Sequence, residues 1–326
     1  MNEKPIKRLA VMTSGGDSPG MNAAIRAVVR TGISYGLEVY GIRQAYLGLI
    51  NGDIEPMTSR DVSGIIQTGG TILQTARLPE FQEESYQRRA IRRLNEHGID
   101  ALVVIGGDGS LSGALALHRR GVRVVGIPGS IDNDIWGTDS SIGVDTALNT
   151  IIESIDRLRD TASSHERVFL VEVMGRRCGH LALASGLITG AEVVLIPEEE
   201  MSIEELGKAV EEAYLKGKSH AMVVVAEGAN LKCDQIAEYL NKHDIGFEVR
   251  TTILGHVQRG GRPTAFDRLL ATRMGVAAVK ALLDGRSGVM VALDGTSITT
   301  RKLEEVIGKQ RPINPHFTEM AKILTR

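Results

Sequence analysis

Acidic residues crowd into one glycine-rich stretch, Gly126-Ile-Pro-Gly-Ser-Ile-Asp-Asn-Asp-Ile-Trp-Gly-Thr-Asp139, which overlaps the end of an apolar run from Val122 to Ile127. The β-branched run reads as a buried strand, so Asp132 and Asp134 emerge at a strand's carboxyl end, where open α/β sheets bind ligands. Alone, Asp132 would pass for a solvated turn former. Two further loops change that. Gly15 to Gly20 has the glycine spacing of a phosphate-binding P-loop, but Met21 and Asn22 stand where that motif needs Lys and then Ser or Thr. Gly107-Asp108-Gly109-Ser110 approaches a dinucleotide fingerprint, but the third glycine is displaced to Gly113 and a carboxylate sits in the turn. A carboxylate between glycines suits other chemistry, in which backbone N–H groups cradle phosphate oxygens while the acid holds a divalent ion that bridges them. That favours Mg2+-nucleotide chemistry over hydride transfer.

Basic side chains supply the complementary charge. Arg77 lies in a loop-like segment from Gly69, Arg176 follows a strand ending in Met174-Gly175, and Arg250, His256 and Arg259 cluster around Thr251 to Gly261. Each arginine alone would be a surface charge. As a group at strand ends, these planar guanidinium forks imply a phosphorylated substrate as well as a phosphorylated donor.

The elements that must carry these loops alternate. Strand-like runs at Arg8 to Thr13, Leu37 to Ile42, Ala101 to Ile105 and Val122 to Ile127 alternate with helical spacing after Met21 and over Leu111 to His118. The rhythm repeats with strands at Val168 to Met174, Glu192 to Ile196 and Ala221 to Ala226, and helices at Leu181 to Ile188 and Ile203 to Lys216. It predicts mostly parallel sheets with helices on both faces. At 326 residues the chain suits two such domains, with a break near Ser141 to Asn149 and more than one crossing of the chain. A net charge of -2 offers no general field for nucleic acid or membrane. The longest apolar runs are strand-sized, the polar Met1 to Lys7 carries no leader pattern, and Cys178 and Cys233 lack CxxC spacing, which together point to the cytoplasm.

Taken together, Thr13-Ser-Gly-Gly-Asp-Ser-Pro-Gly-Met-Asn-Ala-Ala-Ile-Arg26, Ile105-Gly-Gly-Asp-Gly-Ser110, Pro128-Gly-Ser-Ile-Asp-Asn-Asp134, Met174-Gly-Arg176 and Gly255-His-Val-Gln-Arg-Gly-Gly261 resemble the bacterial ATP-dependent 6-phosphofructokinases. The likeness runs from about Arg8 to a helix near Leu283 and weakens over the tail. It implies two doubly wound, mostly parallel-sheet Rossmann-like domains with the active site in the cleft between them. The ATP-binding domain would span 1–143 plus about 258–308, and the fructose 6-phosphate-binding domain 144–257 plus about 309–326. The implied reaction moves the γ-phosphoryl group of Mg-ATP to the 1-hydroxyl of fructose 6-phosphate, the committed step of glycolysis.

By the same resemblance, Asp132 is the base, Asp134 supports metal and phosphate geometry, and Ser130 and Arg176 lie beside the transferring group. Gly16, Arg77, Leu78, Gly107, Asp108, Gly109 and Ser110 form the ATP site, with Mg2+ on Asp108. Ser130, Ile131, Met174, Gly175 and Glu227 accompany Arg176 in facing the sugar, while Arg167, Arg250, His256 and Arg259 face its phosphate and Val257 and Gln258 complete the substrate-binding set. Arg167 and Arg250 would come from a neighbouring subunit of a homotetramer. Glycine at 109 and 129, where pyrophosphate-dependent relatives tend to carry an acid and a lysine, implies ATP as donor.

Arg26, Arg30, Arg159, Gly190, Glu192, Lys216, Lys218 and His220 match an effector pocket for ADP or phosphoenolpyruvate. Gly64, Ser219 and Trp136 depart from the usual pattern. Another kinase sharing the Gly-Gly-Asp-Gly turn would lack the His256-to-Arg259 and Met174-to-Arg176 signatures. A silent regulatory paralogue would have no use for Asp108, Asp132 and Asp134 together.

Overall fold

The computed structural model describes residues 5–164, 167–243 and 246–324, so the first four residues of the polar amino-terminal stretch lie outside the described ones. The chain begins with β1 (Arg8–Ser14), α1 (Met21–Ser34), β2 (Glu38–Ile42), α2 (Ala45–Asn51), β3 (Ile54–Met57) and α3 (Glu84–Glu96). Next come β4 (Ala101–Gly106), α4 (Asp108–His118), β5 (Arg123–Pro128), α5 (Val144–Ser163), β6 (Arg167–Val173), α6 (His180–Thr189) and β7 (Val193–Leu195). After α7 (Ile203–Leu215), β8 (Ala221–Ala226), α8 (Cys233–Lys242) and β9 (Glu248–Ile253), it closes with α9 (Ala265–Leu283), β10 (Val289–Asp294), β11 (Ser297–Lys302), α10 (Leu303–Val306) and α11 (Pro315–Leu324). These elements fall into two compact units. One comprises Met1–Ile131, Ile135–Thr146 and Arg259–Arg311; the other comprises Asp132–Asp134, Ala147–Gln258 and Pro312–Arg326.

In the first unit the strand order is β11-β10-β5-β4-β1-β2-β3. β1, β2, β4, β5 and β10 run parallel, and only the edge strands β3 and β11 are antiparallel. β1 and β4 are buried almost throughout, as strands covered on both faces must be, and this is why they read as continuous apolar runs rather than alternating ones. The order reverses between β1 and β4, and at such a switch point the loops at the strands' carboxyl ends diverge to leave a crevice. Those two loops are Gly15 to Gly20 and Gly106 to Ser110.

The second unit has a wholly parallel sheet of order β7-β8-β6-β9. Its central strands β6 and β8 are adjacent, and their carboxyl ends lead into Met174-Gly175-Arg176 and Glu227-Gly228. Both units are therefore doubly wound α/β structures. Within the first unit, Asp267 of α9 is fully buried and accepts hydrogen bonds from Gly143 N (2.9 Å), Thr146 N (2.8 Å) and Thr146 Oγ1 (2.6 Å). It satisfies amides at the start of α5 that the helix cannot pair itself. Among the described residues no helix is long and apolar enough to cross a membrane.

Candidate active site

In the first unit, the turn after β1 is built for close approach. A Cβ on Gly16 would lie 2.6 Å from Arg259 Nη1, which donates to Asp17 O at 3.1 Å. The arginine expected in the sugar-phosphate pocket is thus laid across the first glycine loop. Met21 is core, which removes any cationic side chain from the position a Walker lysine would fill. Asn22, also buried, has a structural role. Its Nδ2 donates to Thr68 Oγ1 (3.0 Å) and Gly69 O (3.1 Å), while its Oδ1 accepts from Ile72 N (2.8 Å). These bonds order the segment that leads on to exposed Arg77 and half-buried Leu78, the latter packed against a core cluster.

A Cβ on Gly106 would come within 2.4 Å of Ser14 O, so glycine lets the two loops lie against each other. Asp108 and Gly109 are exposed on the first turn of α4, and Gly107 precedes them in extended conformation. Tyr46 Oη donates to Ser110 O at 2.6 Å, and its ring stacks on Phe81 at 4.0 Å between centroids. Burial pushes the Tyr46 hydroxyl above its ordinary pKa, keeping it a donor. The two glycines associated with donor choice differ. A Cβ on Gly109 meets open space, whereas one on Gly129 would lie 3.1 Å from Met21 Cε. Gly129 therefore also has a packing reason for being glycine, and of the two only Gly109 leaves open room.

The chain runs from β5 through Ser130, whose carbonyl accepts from Ser141 Oγ at 2.7 Å, and Ile131, whose side chain is fully buried. Ile131 can offer a ligand its backbone only. Asp132 to Asp134 then belong to the second unit. Asp132 is buried, and Arg176 Nε stands 3.5 Å from its Oδ2, a charge contact rather than a tight hydrogen bond. Burial pushes the Asp134 carboxyl above the usual carboxylate range; its own backbone N–H and the Arg176 charge pull it partly back. Asn133 adopts a left-handed φ of 55°, with Nδ2 3.1 Å from His180 Nε2.

Arg176 is placed by backbone rather than by its own packing. Its N–H (2.6 Å) and that of Gly175 (3.2 Å) both donate to Glu227 Oε1. Gly175 has φ 140°, and a Cβ there would lie 2.4 Å from Cys178 O; a Cβ on Gly228 would lie 1.9 Å from Arg176 O. Only glycine permits either approach. Met174 N donates to Gln258 Oε1 at 3.1 Å, and Gln258 Nε2 donates to Gly255 O at 2.9 Å. Gln258 is fully buried, and these two bonds tie it to Met174 and Gly255. His256 and Val257 beside it are both exposed.

Arg167 and Arg250 are brought together by parallel pairing of β6 with β9. Arg167 sits opposite Glu248 and binds it at 2.7 Å, and Arg250 forms an ion pair with the same carboxylate. The hydrogen bond from Arg167 is the main reason Glu248 is held below its usual pKa.

The expected effector residues divide. Arg26 and Arg30 lie on α1 of the first unit; the others lie in the second. There Lys218 binds Glu192 at 3.0 Å, Glu192 accepts Met222 N at 2.7 Å, and Arg159 donates to Thr189 O, one residue before Gly190 with its φ of 66°. Burial lowers the pKa of His220, Glu192 opposes that, and the charges of Arg159 and Lys218 reinforce it. Glu192, Lys216 and Lys218 line a cavity of about 200 Å³ that Leu183, Val194 and Ala213 also line.

Asn22, Asn133, His180 and Asp267 were not among the residues given a role at the site, although Asn22 and Asn133 fall within the motifs that carry the resemblance. Asn22, Asn133 and His180 stand near glycine turns, the one local signal available, whereas Asp267 lies on α9; the partners of all four are distant in sequence.

Comparison with known proteins accords with this arrangement. The phosphofructokinase family model matches residues 8–282. The ATP-dependent 6-phosphofructokinase of Thermotoga neapolitana is 52% identical over 98% of this chain and 100% of its own length. That of Listeria welshimeri is 49% identical over the same shares. Among solved structures, Pichia pastoris phosphofructokinase in the T-state aligns with TM-score 0.89 and 42% identity, covering 94% of this chain, which spans only 36% of the yeast one. The chain belongs to the phosphofructokinase family.

Proposed function

We propose that this chain is an ATP-dependent 6-phosphofructokinase, transferring the γ-phosphoryl group of ATP to the 1-hydroxyl of fructose 6-phosphate. The observation that carries the reading is full-length identity of about half with relatives of that activity, over a chain that keeps Asp132 beside Arg176.

The hydroxyl oxygen attacks the γ-phosphorus, the bond to the β–γ bridging oxygen breaks, and ADP leaves. Asp132 takes the hydroxyl proton, and Arg176 stabilises negative charge on the transferring group. Little covalent help is needed in such a reaction, so positioning and charge dominate. The backbone lock from Glu227 and Gly228 supports Arg176 in that role. Asp134 and Ser130 flank the reacting group. The donor is proposed to lie along Gly16, Arg77, Leu78 and Gly107 to Ser110.

Mg2+ binds through one or two carboxylates and fills its shell with phosphate oxygens and water. Exposed Asp108 on a glycine turn fits that demand, and among the described residues no three acids, histidines or cysteines form an all-protein metal cage. Bound there, the ion would screen phosphate charge. The sugar phosphate is assigned to Arg167, Arg250, His256 and Arg259, with Met174 and Glu227 at the sugar.

A homotetramer with Arg167 and Arg250 reaching a neighbouring subunit's site, a cytoplasmic location, and the domain roles given by the resemblance complete the proposal. The charged cavity at Glu192, Lys216 and Lys218 is proposed as the effector pocket, for ADP or phosphoenolpyruvate. Donor choice is tested by offering ATP or pyrophosphate with Mg2+ and fructose 6-phosphate and measuring fructose 1,6-bisphosphate. Product is expected with ATP; turnover with pyrophosphate alone overturns the reading.

A further inference from the structure

The chain's single tryptophan lies two residues after Asp134. Trp136 is half-buried and packs against a core cluster to which Ile135, Leu303 and Val306 belong. Lys309 Nζ stands over its ring, 4.5 Å from the centroid, a cation–π geometry. The neighbouring residues are also joined, since Ile135 and Gln310 form an isolated antiparallel bridge. Two strips of chain are thus clasped both through backbone and through side chains.

What lies at the ends of those strips gives the clasp its consequence. Upstream of Ile135 are Asp132, Asn133 and Asp134, which belong to the second unit, while Ile135 and Trp136 belong to the first. On the downstream side the segment is already fixed: Leu293 N donates to Thr138 Oγ1 at 3.0 Å, Asp139 N to Leu293 O at 2.9 Å, and Gly295 N to Asp139 Oδ2 at 2.7 Å. The clasp is the last anchor of the first unit before the carboxylates. The hydrophobic contact alone would make Trp136 a piece of core, but a core residue does not need a cation on its ring or a paired neighbour on the same strip.

We infer that Trp136 is a positioning residue for phosphoryl transfer, holding the Asp132–Asp134 segment in register through its clasp with Lys309 and the adjoining Ile135–Gln310 bridge. The inference rests on the assignment of Asp132 and Asp134 to the reaction. Trp136 acts by fixing where the acids begin, not by touching substrate. Misplacement of about 1 Å in a catalytic group can cost up to about 10²-fold in rate, so the effect belongs in kcat.

The test is steady-state kinetics of the full-length enzyme and its Trp136→Phe, Trp136→Ala, Lys309→Met and Asp132→Asn variants, with melting temperatures measured alongside. Trp136→Ala is expected to lower kcat by roughly 10-fold or more, with the KM for ATP within about twofold of the parent. Trp136→Phe, which keeps an aromatic face, should restore kcat to within about threefold, and Lys309→Met should lose roughly two- to fivefold.

If Trp136→Ala lowers the melting temperature but keeps the parent's kcat in assays run well below that temperature, Trp136 is core alone and the inference fails. Should Trp136→Ala not fold, an unchanged kcat in Lys309→Met overturns it equally. An active Asp132→Asn would instead sink the underlying role assignment, whatever Trp136 does.

Discussion

Arg176 and Asp134 offer a test of local electrostatics at the scale of single residues. Burial raises the Asp134 pKa, so the carboxyl takes up its proton at a higher pH than an ordinary aspartate does, and the nearby Arg176 charge opposes this. Activity that requires ionised Asp134 should therefore fall on acidification through that raised value. Removing the Arg176 charge removes the opposition, so the acid limb of kcat/KM in Arg176→Gln should move to higher pH as total activity drops. A pH–rate profile with the limb unmoved or moved lower would separate Arg176 from Asp134. The two thiols make a simpler case. Burial is the main cause pushing Cys178 up to about 11 and Cys233 up to about 12, and both side chains are buried. A thiol reagent at about pH 8, below the ordinary thiol pKa, should label neither in the native protein and both after denaturation.

Among the elements, the glycine turns show how far local sequence reaches. The loops after β1, β4 and β5 were legible because buried parallel strands are continuous apolar runs that end abruptly in glycine and acid. The edges were not. β11 is Ser-Ile-Thr-Thr-Arg-Lys and half-exposed, and α11 has no buried residue, so neither carries a strong periodic signal.

The same limit applies to side-chain roles. Asp132 and Arg176 could be named from motifs, but the burial of Gln258 and the capping by Asp267 depend on partners 84 and 121 residues away. Gly228 gives this a consequence. Its Cβ would meet Arg176 O at 1.9 Å, so Gly228→Ala must shift the backbone that aims Arg176. We expect it to lower kcat/KM for fructose 6-phosphate at least about 10-fold and stability by about 1–3 kcal/mol, read from kinetics and urea unfolding. Parental kinetics in that variant would mean that Arg176 is not placed by this contact.

For the whole molecule, the proposed tetramer makes a prediction that no single chain could satisfy. With Arg250 serving a neighbouring subunit's site, Asp132→Asn and Arg250→Gln subunits mixed in one tetramer should form sites in which both residues are intact. Co-expression or subunit exchange should then restore activity that each variant lacks, and light scattering should report four chains. Absence of rescue in verified hybrids would confine each site to one chain. The doubly wound sheets and full-length kinship establish the family, while the placing of its chemistry turns on a single buried carboxylate.

The direct measurement is fructose 1,6-bisphosphate formation from saturating ATP and fructose 6-phosphate by the purified chain and by Asp132→Asn. The parent should turn over, and the variant should lose about 10²–10⁴ in kcat with a much smaller change in KM, the range for loss of a general base. A variant that forms product at the parent's rate would remove Asp132 from the chemistry.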